Sequence, residues 1–441
     1  MDWTAIGDEA IELARRYLMV DTTNPPGNEL AGVRFLADVL AREGIPGEIA
    51  EAAPGRGNLV ARVGGDGSLP GLVLHHHVDV VYADRRYWTV DPFTGEIRDG
   101  YLYGRGALDM KSIGILQLVA VLALRRARTP LARDLILLAT ADEEAGSAFG
   151  ARWVAEHRRH WVAGAEYALG EFGGVLAGPA QHAPFGVIDV SEKIGLPLGL
   201  TARAAPGHGS IPWPDTAPNR LVRALARFLA AERAPRVLPE VREYFRHLAA
   251  TLPPADAEGL DDLAGALCDP AFRARFLGRA GWAAMVRTTF AVTMLRGSEK
   301  LNVIPPEATA EIDCRLLAGD DPDEVLDWVR RAVADEHVEV TALRPARTPN
   351  LSPPDTALYK TLADTLRRRA PGAVVAPRIL PGFTDNWVFR TLGLQAYGFS
   401  PFVLEETEFR RVHGNDERVS LDNLAAGARA YTELLLSFAA A

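Results

Sequence analysis

Apolar positions in the first 190 residues follow two different periods. Leu30, Val33, Leu36, Ala37 and Leu40 recur at the spacing of one helical face, and Gly44 follows as a C-terminal stop. Short apolar runs at residues 59–63 and 72–74 predict strands, the second leading directly into His75, His76 and His77. A helical run over 113–126 precedes the very apolar strand 135–139, which ends abruptly in Thr140-Ala141-Asp142-Glu143-Glu144. Strand and helix in alternation predict an α/β fold with a mixed, mainly parallel sheet flanked by helices.

The pattern changes near Lys193. A strand over 196–204, a Gly/Pro-rich stretch to Pro218 and a helix over 219–231 are followed by a Pro-interrupted helical region, about 235–290. Two strand-like segments and a helix over 322–334 complete this part, and the helix-and-strand rhythm returns near Ser352. The expected organisation is one domain in two segments, 1–193 and 346–441, interrupted by an inserted α+β domain, 194–345. A chain of 441 residues has length for two cores.

Composition narrows the function classes. A formal net charge of −9 argues against a nucleic-acid partner, because phosphate neutralisation needs a basic face. Cys268 and Cys314, the only two cysteines, lack metal-ligand spacing, so neither a disulfide framework nor a thiolate zinc site is expected. The first residues carry no basic, apolar leader pattern, and no apolar run reaches bilayer length. A cytoplasmic protein without a membrane partner is expected.

Candidate chemistry gathers at predicted strand ends, where open α/β sheets bind ligands. In the extended segment around residues 77–79, His77 and Asp79 point the same way. His77 then suits a metal, with Asp79 orienting it. A histidine-rich strand end bonded to backbone accounts for the same residues equally well. Tyr103-Gly104-Arg105-Gly106 leads to Asp109-Met110-Lys111, where one carboxylate leaving a glycine turn could bridge two cations or merely cap a helix. Glu143 and Glu144 diverge at the end of the most buried-looking strand, so one can bind metal while the other faces its water as general base. Glu171, after another short strand, and His413, near the C-terminus, complete the set. Each is weak alone; their joint occurrence is the signal.

In collinear order over nearly the whole chain, these motifs resemble the di-zinc peptidase family of aminoacylase-1, glutamate carboxypeptidase and succinyl-diaminopimelate desuccinylase. His77-Val78-Asp79, Gly104-Arg105-Gly106 with Asp109-Met110-Lys111, Asp142-Glu143-Glu144 with Gly146, and His413-Gly414 carry the likeness. The resemblance implies two zinc ions per chain, with cobalt or manganese as alternatives. His77 and Glu171 would hold one, Glu144 and His413 the other, and Asp109 would bridge both. Glu143 would be the general acid/base and Asp79 would orient His77. The Asp109–Met110 peptide would be cis.

In the insert, Gly207-His208-Gly209-Ser210 resembles the family's lid histidine, which stabilises an oxyanion. The insert is then a lid and dimerisation domain, and a homodimer through it is implied. Asn302 and Arg315 resemble substrate-carboxylate elements, although Arg315 serves equally as a structural ion-pair partner. Thr384 lies in a stretch resembling a product-contacting loop, or in an ordinary Ser/Thr turn. Two departures stand out. Glu171 sits in Gly-Glu-Phe-Gly-Gly rather than a compact Glu-Gly-Gly, and the helical region 235–290 makes the lid bulkier.

The implied activity is hydrolysis, by zinc-bound hydroxide, of the amide bond of an N-acyl amino acid or short peptide with a free carboxylate. An aminopeptidase or dipeptidase would need an acidic anchor for a free amine. An inactive, metal-free scaffold of the same fold would lack a ligand or the base, and none is missing.

Overall fold

The computed structural model of the chain describes residues 1–178, 183–345, 347 and 350–441. Ala346, the first residue of the expected third segment, lies outside the described residues. Two sheets organise the molecule. The larger has ten strands, in the spatial order Gly47–Ala53, Arg56–Val63, Leu135–Thr140, Gly71–His77, Ala165–Gly170, Gln395–Gly398, Phe185–Glu192, Gly174–Leu176 and Val403–Leu404. Val374–Leu380 branches from it, parallel to Phe185–Glu192. Its centre is parallel: Gly71–His77 pairs in that sense with both neighbours.

Period-two alternation sends side chains of this sheet into two apolar layers. Leu72, Leu74, Leu135, Leu137 and Ala139 face helices Trp3–Leu18, Glu29–Arg42, Lys111–Arg126, Ala357–Arg369 and Leu421–Ala439. Val73, Ile136, Leu138 and Ala168 face Ala151–His157 and Asn386–Thr391. Continuing the alternation, His76 falls in the first layer, edge-on to Tyr17, while His75 packs on Phe389 in the second. His77 follows His75 onto that second side, at the strand end. All six residues of Leu135–Thr140 are buried, as the apolar run requires, at roughly 1.5–3 kcal/mol for each large side chain.

The smaller sheet is antiparallel. Glu307–Leu316 pairs with Thr289–Arg296 on one side and, in one continuous register, with Ile194–Gly195 and Leu198–Arg203 on the other, followed by Val338–Ala342. Helices Ala217–Ala230 and Pro322–Val333 cover one face through Leu221, Leu225, Val325 and Val329. The other face carries Glu311, Asp313 and Arg315, half-buried in alternation with Ile312 and Cys314.

The helical region 235–290 requires a correction. It does not simply enlarge the lid. Helix Pro239–Ala249 packs against Val374–Leu380 of the large sheet, with Phe245 and Ile379 in one cluster and Tyr244 and Leu248 against Phe185 and Ala376. Its apolar face, Val241, Phe245 and Leu248, is built for that edge. Among the described residues no helix is long and apolar enough to cross a membrane.

Candidate dinuclear metal centre

Five side chains from distant parts of the sequence converge at the strand ends of the large sheet. His77 ends Gly71–His77, Glu144 lies in the turn after Leu135–Thr140, and Glu171 follows Ala165–Gly170. Asp109 immediately precedes the helix Lys111–Arg126, whose first fourteen residues are all buried, and the Asp109–Met110 peptide is cis. His413 comes from the loop before Arg418–Ser420, with its backbone in the left-handed region at φ 60°.

The two oxygens of Asp109 divide between two pairs. Oδ1 lies 3.0 Å from Nε2 of His77, which is itself 3.2 Å from Oε2 of Glu171. Oδ2 lies 3.1 Å from Nε2 of His413, which is 3.2 Å from Oε1 of Glu144. Donor atoms of His77, Asp109 and Glu144 fall within 4.8 Å of one another, as do those of His77, Glu143 and Glu171. Glu143 therefore borders the same space.

Charge makes this space suit cations. Asp109, Glu143, Glu144 and Glu171 bring four carboxylates against two imidazoles, all but His413 largely buried. Burial, followed by the Glu171 charge, pushes Glu143 well above the ordinary carboxylate range. Burial and then Asp109 do the same to Glu171, and burial raises Glu144. Burial would raise Asp109 too, but hydrogen bonds with His413 and His77 outweigh it and hold the carboxyl low. Burial opposes charge on His77, yet Glu171, Asp109 and Asp79 drive its affinity for a proton well up. Asp109 and Glu144 raise His413 to about 10. A buried cluster this rich in anions demands positive charge. Its nitrogen and oxygen donors, without a thiolate, fit divalent zinc, and cobalt or manganese by the same chemistry.

Asp79 meets His77 through both its main chain and its carboxylate. Nδ1 of His77 makes its short contact, 2.9 Å, with the main-chain oxygen of Asp79, and the carboxylate lies 3.7 Å away. The carboxylate also accepts from the backbone N–H of Glu143 at 3.1 Å and of Glu144 at 3.2 Å, and from Asn24. It anchors the turn that carries Glu143 and Glu144.

The residues that support this cluster carry no local pattern that announces them. Arg56, at the start of its strand, grips Glu29 and reaches Asp142, whose backbone is left-handed at φ 68°. Asp385 accepts from Ser147 and Thr140 beside His75, and burial pushes it up to about 7. These are single charged residues with no periodic partner. Only their burial betrays them.

Among the described residues, no hydrogen bond or ion pair joins the remaining expected residues to the five. His208 is exposed on a two-residue ribbon, Gly207–His208 against Val303–Ile304, and its Nδ1 is bonded to the Ser210 hydroxyl at 2.7 Å. Gly209 N–H donates to Asn302 at 2.8 Å, so His208 and Asn302 share one tip of the small-sheet domain. Nε of Arg315 is engaged by Asp313 at 2.9 Å, the structural pairing that competed with a substrate role. Thr384 is buried and its hydroxyl accepts from Asn386 N–H, as in a Ser/Thr turn.

A mainly parallel sheet ending in a carboxylate–imidazole cluster, with a second domain beside it, defines a metal-dependent amidohydrolase. Residues 73–437 match peptidase family M20/M25/M40, and the chain belongs to that family. It is 34% identical over 394 residues to the N-fatty-acyl-amino acid synthase/hydrolase PM20D1 of Xenopus tropicalis, covering 87% of this chain and 76% of that one. It is 25% identical to aminoacylase-1 of Mus musculus, over 98% of this chain and 95% of the other. The M20 family metallo-carboxypeptidase Sso-CP2 from Sulfolobus solfataricus shares the fold, with a TM-score of 0.73, 18% identity and 97% and 98% of the two chains covered.

Proposed function

We propose that the chain hydrolyses the amide bond of an N-acyl amino acid, or a short peptide, that carries a free carboxylate. The observation that carries this reading is the division of the Asp109 oxygens between the His77–Glu171 and His413–Glu144 pairs. In this reading His77 and Glu171 hold one zinc ion, His413 and Glu144 the other, and Asp109 bridges them. Two such ions would supply an activated water as nucleophile and polarise the scissile carbonyl.

Glu143, facing the same space, takes the proton of the attacking water and returns it to the leaving amine. Its raised proton affinity suits that return. Asp79 fixes the turn from which Glu143 acts. His208, on the lid, donates to the oxyanion that develops on the amide. Arg315 and Asn302 bind the amino acid's carboxylate, Arg315 with the guanidinium nitrogens left free by Asp313, and Thr384 lines the product side. The reading takes residues 1–193 and 346–441 as the catalytic domain and 194–345 as a lid through which two copies pair. It also includes a cytoplasmic location, in keeping with Cys268 and Cys314 both being free thiols. The names of PM20D1 and aminoacylase-1 support the N-acyl substrate class.

A hydrolysis screen with zinc- or cobalt-loaded protein tests this. N-acetyl amino acids, long-chain N-acyl amino acids and free-amine dipeptides form its three arms. Cleavage of either N-acyl series with little turnover of the dipeptides is expected. Preference for free-amine dipeptides would overturn the carboxylate-anchored reading. Less than one bound divalent ion per chain after reconstitution would favour an inactive scaffold.

A further inference from the structure

The loop that presents Asp109 and the loop that presents His413 are fastened together by a pair of residues outside the ligand set. Glu417 is fully buried. Its Oε1 accepts from the backbone N–H of Leu108 at 2.7 Å and of Asp109 at 3.1 Å, and its Oε2 from Gly106 N–H at 3.2 Å. The same Oε2 receives Nη1 of Arg105 at 2.5 Å. Arg105 returns the contact across the gap, its Nη2 donating to the carbonyls of Gly414 at 2.9 Å and His413 at 3.3 Å. The guanidinium stacks on the Trp88 indole at 5.2 Å, and Gly104 N–H donates to the Glu417 carbonyl at 3.0 Å.

Each loop thus carries one charged side chain buried in the other. Reciprocity matters because both backbones are conformationally demanding. His413 is a non-glycine in the left-handed region, and Gly106 turns at φ 90°. Asp416 adds a second tie at the far end of this loop, accepting from the Thr89 N–H at 2.7 Å, but the carbonyl of His413 itself is held by Arg105. By contrast, His77 is set by its strand and the Asp79 carbonyl, and Glu171 by a separate strand end. Neither hydrogen-bonds to Arg105 or Glu417 among the described residues.

We propose that Arg105 and Glu417 are positioning residues for one of the two cation sites, the one built from His413, Glu144 and Asp109. The clamp holds the His413 ring at the distance from Asp109 that a shared cation requires. This rests on the reading of those three side chains as ligands. Arg105→Lys keeps a positive charge near Glu417 but lacks the planar fork that spans to the His413 and Gly414 carbonyls. Glu417→Gln keeps the shape but weakens every N–H contact to the Asp109 loop.

The test is Zn²⁺ binding to the purified full-length protein in competition with a chromophoric chelator, with thermal unfolding of the metal-free form measured in parallel. His413→Ala identifies which binding step belongs to the His413 site. In Arg105→Lys that same step is expected to weaken about 10–100-fold while the other stays within about threefold, the range of losses for residues that orient ligands. Glu417→Gln should weaken it at least as much and, because Glu417 also holds the shared Asp109 loop, should weaken the other step to a lesser degree. The double variant should be no worse than Glu417→Gln, since the two act as one unit. Equal weakening of both steps in Arg105→Lys, or a fall in unfolding temperature with unchanged zinc affinities, would overturn the proposal. Fewer than two zinc ions on the wild-type chain would instead overturn the dinuclear reading beneath it.

Discussion

Replacing Arg56 by methionine isolates the energetics of the support beneath the Glu143–Glu144 turn. The Arg56 guanidinium donates Nε to Glu29 at 2.8 Å and Nη2 to the other Glu29 oxygen at 2.7 Å, and Nη2 also meets Asp142 at 2.7 Å. The Glu29 and Asp142 carboxylates are 0% and 4% exposed, so water cannot replace the lost cation. Methionine preserves the stem but leaves two buried carboxylates together, and breaking a buried pair in this way costs about 3–5 kcal/mol. Burial already raises the Glu29 carboxyl, and Arg56 is what pulls it back. Without Arg56 its folded pKa rises further. A carboxyl whose folded pKa exceeds the unfolded value of about 4.3 binds its proton more tightly when folded, so stability is lost as pH rises from there through the folded pKa. The deficit of Arg56→Met relative to wild type should therefore be larger at pH 8 than at pH 5. Urea unfolding of the metal-free protein at both pH values measures it. A deficit below about 1 kcal/mol, the range of a surface pair, or one independent of pH, would refute this account. Because Asp142 adjoins Glu143, turnover should fall in the same variant even where it remains folded.

Glu143→Gln should lower kcat by about 10²–10⁴-fold while zinc content, read by metal analysis, stays at the wild-type value. Retained turnover would remove Glu143 as the acid/base. His208→Ala should cost about 10²–10³ in kcat with metal content unchanged, the loss typical of one oxyanion donor. The buried Lys193 amine, which donates to the Arg287 carbonyl and the Thr289 hydroxyl, is pushed down to about 7 by burial. Between that value and the unfolded one of about 10.4, the unfolded chain holds the extra proton, so stability should rise with pH across this window. Lys193→Met should flatten that rise in urea midpoints taken from pH 7 to 10. An unchanged slope would show that the amine is not the source.

The family, the α/β character and the five converging side chains were legible because each leaves a local mark. Apolar period reports strand and helix, and histidines or acids at strand ends report a site. Helix ends also followed the rules: Asp321 caps Pro322–Val333 by accepting from the N–H groups of Asp323 and Glu324. What escaped was tertiary. Nothing in the spacing of Phe245 and Leu248 says which sheet they will cover. The same holds for Asp79, where alternation correctly placed the side chain but could not tell that two backbone N–H groups would claim its carboxylate ahead of the His77 ring. The pairing of Arg315 Nε with Asp313, two residues away on the same strand face, is likewise a contact that residue type alone does not announce.

Residues 236–286 form a bracket between the two sheets. At one end Phe245 packs beside Ile379 of the large sheet, and at the other Arg236 meets the Ala318 carbonyl at 2.6 Å and Asp320 at 2.9 Å, just past the end of Glu307–Leu316. A domain suspended on two crossing segments alone is free to swing widely about them. With the bracket in place, such a swing must shear an apolar contact or break an ion pair. The same two contacts therefore resist any excursion of the His208 tip that carries the small sheet away from the large one.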